Sequence, residues 1–235
     1  MHLSHVLTGV WVALLATSLA AEEPRAAVPR RTAAATPTLL EVVSPTYRES
    51  VNDVIKAQTL SVKALDDEFT AHTRVYEWML DHPDRVSLAW QRLKVQCIEI
   101  TDLGDGRFRW VDETNGSELT WRQVGKFTDG IVWYATGKVK PGALLPMVPV
   151  KAVAVLHYPK TAETKGGVAS FVPSLNVYMH TESKAAGTIL RMVGPAGPRM
   201  AEQGAEQLLL FFSGPARHLY KHPEQIETLL APKAK

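Results

Sequence analysis

The run from Val95 to Thr181 consists of short segments in which apolar and polar side chains alternate, separated by glycine-containing turns. Alternation with a period of two residues is typical of strands that bury one face. The turn sequences at Leu103–Gly106, Asn115-Gly116 and Asp129-Gly130 favour hairpins between consecutive strands. This run therefore predicts a meandering antiparallel sheet, and it limits the fold more than any other feature of the chain.

The strands and helices are predicted from these periods. A first strand at Thr59–Leu65 precedes six more, at Val95–Thr101, Arg107–Asp112, Glu118–Lys126, Ile131–Val139, Val148–Tyr158 and Val168–Thr181. Helices are predicted at Glu49–Lys56, from Asp66 to the residue before Pro83, at Asp84–Leu93 with Asp84 as its cap, at Glu182–Met192 and at Arg199–Lys221. The sequences His82-Pro83-Asp84 and His222-Pro223-Glu224 both read as places where one helix stops and another begins.

This order of elements, from about Leu60 to His222, resembles the helix-grip fold of the START and polyketide-cyclase-like superfamily. The resemblance implies an α+β protein in which a curved antiparallel sheet of about seven strands wraps around a long C-terminal helix. It also implies a pocket between sheet and helix that holds a lipid or another hydrophobic small molecule, without catalysis and without a cofactor.

An aromatic band follows from the strand pattern. Trp110, Trp121 and Trp133 lie on three successive predicted strands at the same inward-facing parity, and Tyr178 and Phe212 are candidates from the last strand and the C-terminal helix. Such a band would line a pocket for a sterol, a fatty acyl chain or another lipid. The alternative is that these side chains fill the core, because aromatic residues dominate core burial in most domains.

The N-terminus predicts export. Residues 6–19 form an apolar run too short to span a membrane comfortably, and Ser18-Leu19-Ala20 supplies small residues for cleavage. We expect a signal peptide at 1–20, an Ala/Pro-rich linker or arm at 21–48 and one domain at 49–235. The protein is then periplasmic or extracellular, with an uncleaved anchor as the alternative. The single cysteine, Cys97, excludes an internal disulfide.

The segment 140–150 carries Leu144, Leu145, Met147 and Val148 among three prolines. An apolar loop of this kind either contacts a membrane from the surface or packs into the core.

No motif predicts a metal site or a catalytic residue. His157 and His180, on the last two predicted strands, are the residues that a helix-grip enzyme of the cyclase type would need, but neither has a partner at metal-ligand spacing. The net charge of +2 and the lack of a basic stripe argue against a nucleic-acid partner.

Two further alternatives stay open. RFRW at 107–110 and TDGIVWYATGK at 128–138 resemble strand phrases of periplasmic lipoprotein carriers, whose incomplete barrel binds the acyl chains of lipoproteins. Those carriers end in sheet, whereas this chain is predicted to end in helix. The other alternative is a structural or interaction module with a filled core.

Overall fold

The computed structural model describes residues 38–140, 146–182 and 196–233. The expected signal peptide, most of the predicted arm and nearly all of the helical segment predicted at Glu182–Met192 lie outside these residues. The helices are α1 (Leu39–Val42), α2 (Arg48–Lys56), α3 (Thr73–Asp81), α4 (Pro83–Arg92), α5 (Ala196–Lys221) and α6 (Ile226–Leu230). The strands are β1 (Leu60–Leu65), β2 (Phe69–His72), β3 (Ile100–Gly104), β4 (Arg107–Asp112), β5 (Ser117–Phe127), β6 (Gly130–Val139), β7 (Val148–His157), β8 (Val168–Phe171) and β9 (Ser174–His180).

Seven of the strands form one antiparallel sheet in the order β1-β9-β7-β6-β5-β4-β3, and β2 pairs with β8 in a separate two-stranded sheet. A bulge between Gln123 and Gly125 interrupts the β5–β6 register, and a bulge of this kind bends its strand. The long helix α5 packs against β1, β2 and β9. The predicted α+β helix-grip architecture is therefore confirmed.

The sheet has an apolar layer on each face. On the inner face, side chains of β1, β6, β7 and β9 pack with Leu209, Phe212, Ala216 and Leu219 of α5. On the outer face, Val43, Val51 and Val54 from the N-terminal part of the domain pack against valines of β5, β6 and β7. Residues 38–47 of the predicted arm thus form helical turns that lie on the sheet.

The N-terminal segment approaches β5 where Gly125 has no side chain. Ser44 N–H donates to the Val124 carbonyl at 2.7 Å, and Val43 forms a bridge with Gly125. A Cβ atom at position 125 would lie 2.9 Å from the Val42 carbonyl oxygen. Glycine is therefore required here by the close approach of two backbones.

Three predicted elements differ from the observed ones. The helix expected from Asp66 begins only at Thr73, because Phe69–His72 is a strand that pairs with β8. Phe69 stacks on Phe171 across that pair, with ring centroids 5.5 Å apart. The strand expected at Val168–Thr181 is divided at Val172 and Pro173 into β8 and β9, since proline has no N–H to donate within a ladder.

The strand expected at Val95–Thr101 begins only at Ile100. The residues before it bond to helix α4 instead of a neighbouring strand. Ser87 Oγ donates to the Ile98 carbonyl at 3.0 Å and accepts from Ile100 N–H at 3.3 Å. A buried serine on α4 therefore takes the place of a strand partner, which alternation alone cannot indicate.

The two His-Pro corners have the same backbone conformation. His82 and His222 each have φ −131° and ψ 63°, and each precedes a proline that begins the next helical turn. Asp84 lies inside the first turn of α4, so His82, and not the predicted Asp84, is the N-cap residue. The predicted positions of both corners are otherwise matched by the structure.

The proline inside α5 determines how α4 contacts that helix. Pro215 has no N–H, so it leaves the carbonyl of Phe211, four residues earlier, without its helical partner. The indole N–H of Trp90 donates to that carbonyl at 2.9 Å. Gly214 makes room for the ring, because a Cβ atom there would lie 2.5 Å from two carbons of Trp90.

We expect the same substitution to have opposite effects at two glycines of α5. Gly214→Ala forces Cβ against a ring held by its hydrogen bond and should lower the free energy of unfolding by about 1–3 kcal/mol. Gly204→Ala meets no atom within 4 Å. It should raise that free energy by about 0.5–1 kcal/mol, since alanine favours helix over glycine. Urea unfolding of both variants measures the difference, and equal effects at the two sites would contradict the packing of Trp90 on α5.

Candidate functional site

A cavity of about 540 Å³ lies between the inner face of the sheet and α5. This volume falls within the roughly 300–1,000 Å³ of pockets that hold drug-sized ligands. The sheet contributes tryptophan, leucine and alanine side chains, α5 contributes the facing wall, and Pro83, Cys97 and Ile98 complete the lining. The main lining residues are Trp110, Leu119, Trp121, Trp133, Ala135, Ala152, Ala154, Leu208, Phe211 and Phe212.

The strand register explains why space is left between these residues. Trp121 lies opposite Ala135, and Trp133 lies opposite Ala154. Ala135 in turn lies opposite Ala152 on the next strand. Large rings therefore border a strip of methyl groups in the middle of the sheet, and the difference in side-chain size leaves the cavity.

The aromatic band divides into two parts. Trp133 and Phe212 are 7% and 4% exposed, and their rings stack with centroids 5.8 Å apart and an interplanar angle of 7°. Trp110 and Trp121 are only partly buried, and both line the cavity. Four of the five predicted residues are thus brought together, two of them also packing in the core. That they bind a ligand stays a prediction.

Tyr178 is not part of this wall. It neighbours Val177, which does line the cavity, and successive residues of a strand point to opposite faces. Tyr178 packs with the valine cluster on the outer face of the sheet. The expectation that it joins the inward-facing band is wrong because its parity in β9 is the opposite of the one assumed.

Two polar residues of the sheet also lie on the outer face. Arg109 donates to Glu118 Oε2 at 2.8 Å, and the ring of Tyr134 lies 5.7 Å from that of Tyr47. Neither contributes to the cavity wall as the structure describes it.

The two strand histidines do not meet. In the β7–β9 ladder His157 lies opposite Ser174 and His180 lies opposite Lys151, six positions farther along β7. At about 3.4 Å per residue they are about 20 Å apart. His180 Nδ1 lies 2.6 Å from the Ala57 carbonyl oxygen, and His157 packs against Phe127. Within the described residues, no group of three or more His, Cys, Asp or Glu side chains could hold a metal ion.

The segment between α4 and β3 closes one end of the cavity. Cys97 and Ile98 line it, and Ile98 is also 40% exposed. Gly204 and Gln207 of α5 are exposed lining residues as well, so they mark the mouth. The sequence pattern did not predict these four lining residues. That Cys97 and Ile98 face inward is shown only by the contact of their segment with α4. Ala135 shares the parity of Trp133 on β6 and could have been found from it, whereas Ala152 and Ala154 follow only from the register of β7 with β6.

Cys97 is the one titratable side chain among the described lining residues. Burial raises the pKa of its thiol, and a hydrogen bond with Ser87 opposes that shift only in part. The thiolate is the nucleophilic form of cysteine, so this environment disfavours nucleophilic chemistry at neutral pH.

The segment 140–150 is described only in part, since residues 141–145, with Leu144 and Leu145, lie outside the described residues. Val148 and Val150 belong to β7 and are buried at 1% and 4% exposure. Of the two alternatives for this segment, packing into the core is therefore the one observed for Val148. Across the parts of the chain that the structure describes, no helix has the length and apolar character needed to cross a bilayer.

No protein-family model matches the chain, and no curated protein matches it. Among solved structures it is similar to a conserved protein from Geobacillus kaustophilus, at 13% identity over 69% of this chain and 96% of that chain, with a TM-score of 0.43. It is also similar to Ara h 8.0201, at 12% identity over 67% of this chain and 97% of that chain, with a TM-score of 0.40. A third is protein Ms6760 from Mycobacterium smegmatis, at 14% identity over 74% and 91% of the two chains, with a TM-score of 0.31. At such identities and TM-scores these likenesses carry no argument about what this chain binds.

The raised pKa of Cys97 predicts its reactivity. A raised pKa lowers the thiolate fraction at every pH below it, so the rate of alkylation by iodoacetamide should rise with pH at a midpoint above that of the urea-unfolded chain. Restricted access of the reagent to the thiol slows the reaction without changing its midpoint on the pH scale. The midpoint therefore reports the ionisation of the thiol alone. A midpoint equal to or below that of the unfolded chain would contradict the buried placement of the thiol.

Proposed function

We propose that this protein binds an apolar small molecule or lipid in the cavity between the inner face of the sheet and α5, and that it catalyses no reaction on it. The observation that carries the proposal is the cavity of about 540 Å³ walled by partly buried aromatic side chains. An apolar space of this size between well-packed elements favours a ligand that fills it.

Apolar burial supplies the affinity in this proposal. At about 25 cal/mol per Å², a ligand that loses about 200 Å² of apolar surface gains about 5 kcal/mol before the cost of its ordering. Trp110 and Trp121 contribute flat, rigid contact surfaces, and Ala135 leaves room beside them.

The chemistry of the wall supports binding over catalysis. Among the described lining residues there is no His, Asp, Glu, Lys or Arg, and general acid–base catalysis needs such a group within hydrogen-bond reach of the substrate. His157 and His180, which the cyclase-type alternative requires, lie on the other face of the sheet.

The lipoprotein-carrier alternative has less support. Its resemblance rests on phrases in β4 and β6, and the carriers end in sheet. This chain places α5 against the sheet and continues into α6. A helix in that position occupies the side on which an open barrel would take up acyl chains.

Filling the cavity tests the proposal. Ala135→Phe should weaken binding of the neutral fluorescent probe N-phenyl-1-naphthylamine by about tenfold or more, because the new ring takes up the space beside Trp121. The matched control is Thr136→Phe, which adds a ring to the adjacent, exposed residue of β6 on the outer face and should leave binding unchanged.

Probe titration followed by fluorescence measures both affinities, and urea unfolding confirms that both variants fold. If the folded Ala135→Phe variant bound the probe as tightly as the original chain, the probe would not occupy the cavity and the proposal would fail. Equal weakening by Thr136→Phe would also contradict it.

We also propose that residues 1–20 direct export to the periplasm or the extracellular space, as the apolar run before Ala20 indicates. Expression of the full chain in a bacterial host should give exported protein whose intact mass begins at residue 21. Recovery of the uncleaved chain from the cytosolic fraction would contradict export.

A further inference from the structure

We infer that the cavity accepts uncharged ligands and discriminates against compact anions such as carboxylates, sulfonates and phosphates. The inference rests on the proposed function and specifies its ligand class. It follows from where the charged side chains of the sheet lie.

Three cations of the sheet, Arg109, Lys138 and Lys151, lie on its outer face. Arg109 and Lys138 both pair with Glu118, at 2.8 and 3.5 Å. Lys151 pairs with Glu182 at 2.5 Å. Arg109 and Lys151 alternate with the lining residues Trp110 and Ala152, and Lys138 shares the outward parity of Thr136 on β6, so none of the three is among the described lining residues.

The polar side chains of the described wall are neutral. They are the Cys97 thiol, whose pKa is raised, the Gln207 amide and the indole N–H groups of the three tryptophans. An anion inside the wall would exchange its hydration for aromatic faces, which carry negative partial charge, with no cation among the described lining residues. Burial of an unpaired charge is strongly unfavourable, whereas a neutral ligand avoids that loss.

Gln207 gives the ligand one neutral polar contact. Its side chain lies at the mouth, on the exposed side of α5, and an amide can both donate and accept a hydrogen bond. The ligand class is therefore an apolar, ring-sized body with at most a neutral polar group, such as a hydroxyl or carbonyl, directed towards α5.

Two probes that differ in one charged group test this selectivity. N-phenyl-1-naphthylamine and 8-anilinonaphthalene-1-sulfonate share their ring system, and only the second carries a sulfonate. We expect the neutral probe to bind at least about tenfold more tightly, and we expect Ala135→Phe to weaken its binding.

A cation at the mouth should reduce this preference. Gln207→Arg introduces a guanidinium beside the cavity and should lower the ratio of neutral-probe affinity to sulfonate affinity by about threefold to tenfold, whatever its effect on the affinity of the neutral probe itself. Thr136→Arg is the matched control, because Thr136 is exposed on the outer face of the sheet and is not among the lining residues. It adds the same net charge and should leave the ratio of the two affinities unchanged.

The outcomes separate the inference from the function on which it rests. If both probes bound in the cavity with equal affinity, or if Thr136→Arg changed their ratio as much as Gln207→Arg, the charge selectivity would be overturned and the binding function would stand. If Ala135→Phe affected neither probe, both the function and the selectivity would be overturned. Tighter binding of the neutral probe, with a ratio reduced only by Gln207→Arg, supports both.

Discussion

The contact of α5 with α4 and the sheet holds the remaining parts of the structure in place. Pro215 frees the Phe211 carbonyl, and Trp90 satisfies it at 2.9 Å. One residue later, Phe212 stacks on Trp133 of β6. The helix is therefore held at two consecutive residues, by a directional hydrogen bond at Phe211 and by a ring stack at Phe212. Because Phe211 and Phe212 also line the cavity, the same contacts set the position of its helical wall.

The cavity is a consequence of side-chain sizes across the strand register. The tryptophans of β5 and β6 lie opposite alanines, so the rings cannot fill the width of the sheet. Protein interiors are normally close-packed, so an aromatic wall that faces an open space lacks packing contacts. A bound ligand would supply them. The proposed binding of a ligand depends on this difference in side-chain size and not on any single polar group.

Much of the fold could be predicted because its signals are local. The Asn115-Gly116 and Asp129-Gly130 turns lie between the strands they were expected to connect, and both His-Pro corners lie where one helix stops and the next begins. The three tryptophans lie on one face for the same reason, since alternation assigns a face directly, and Phe212 joins them from α5. Tyr178 was misplaced because the face of β9 depends on its register with β7, which its own sequence does not encode. The strand Phe69–His72 depends on β8, a partner distant in sequence, and the course of Ile98 depends on a hydrogen bond from Ser87 of the preceding helix. Such elements are determined by tertiary contacts that a periodic pattern does not contain.

The most direct measurement of the central claim is an NMR titration of protein labelled with ¹³C in its alanine methyl groups, with N-phenyl-1-naphthylamine as the added ligand. The methyl groups of Ala135, Ala152 and Ala154 line the cavity, whereas Ala71 and Ala169 are buried in the two-stranded sheet. Saturable shifts of the first three, with cross-relaxation between their methyl protons and the probe, are the predicted result. Shifts confined to other alanines, or no saturable shift at all, would contradict binding in the cavity.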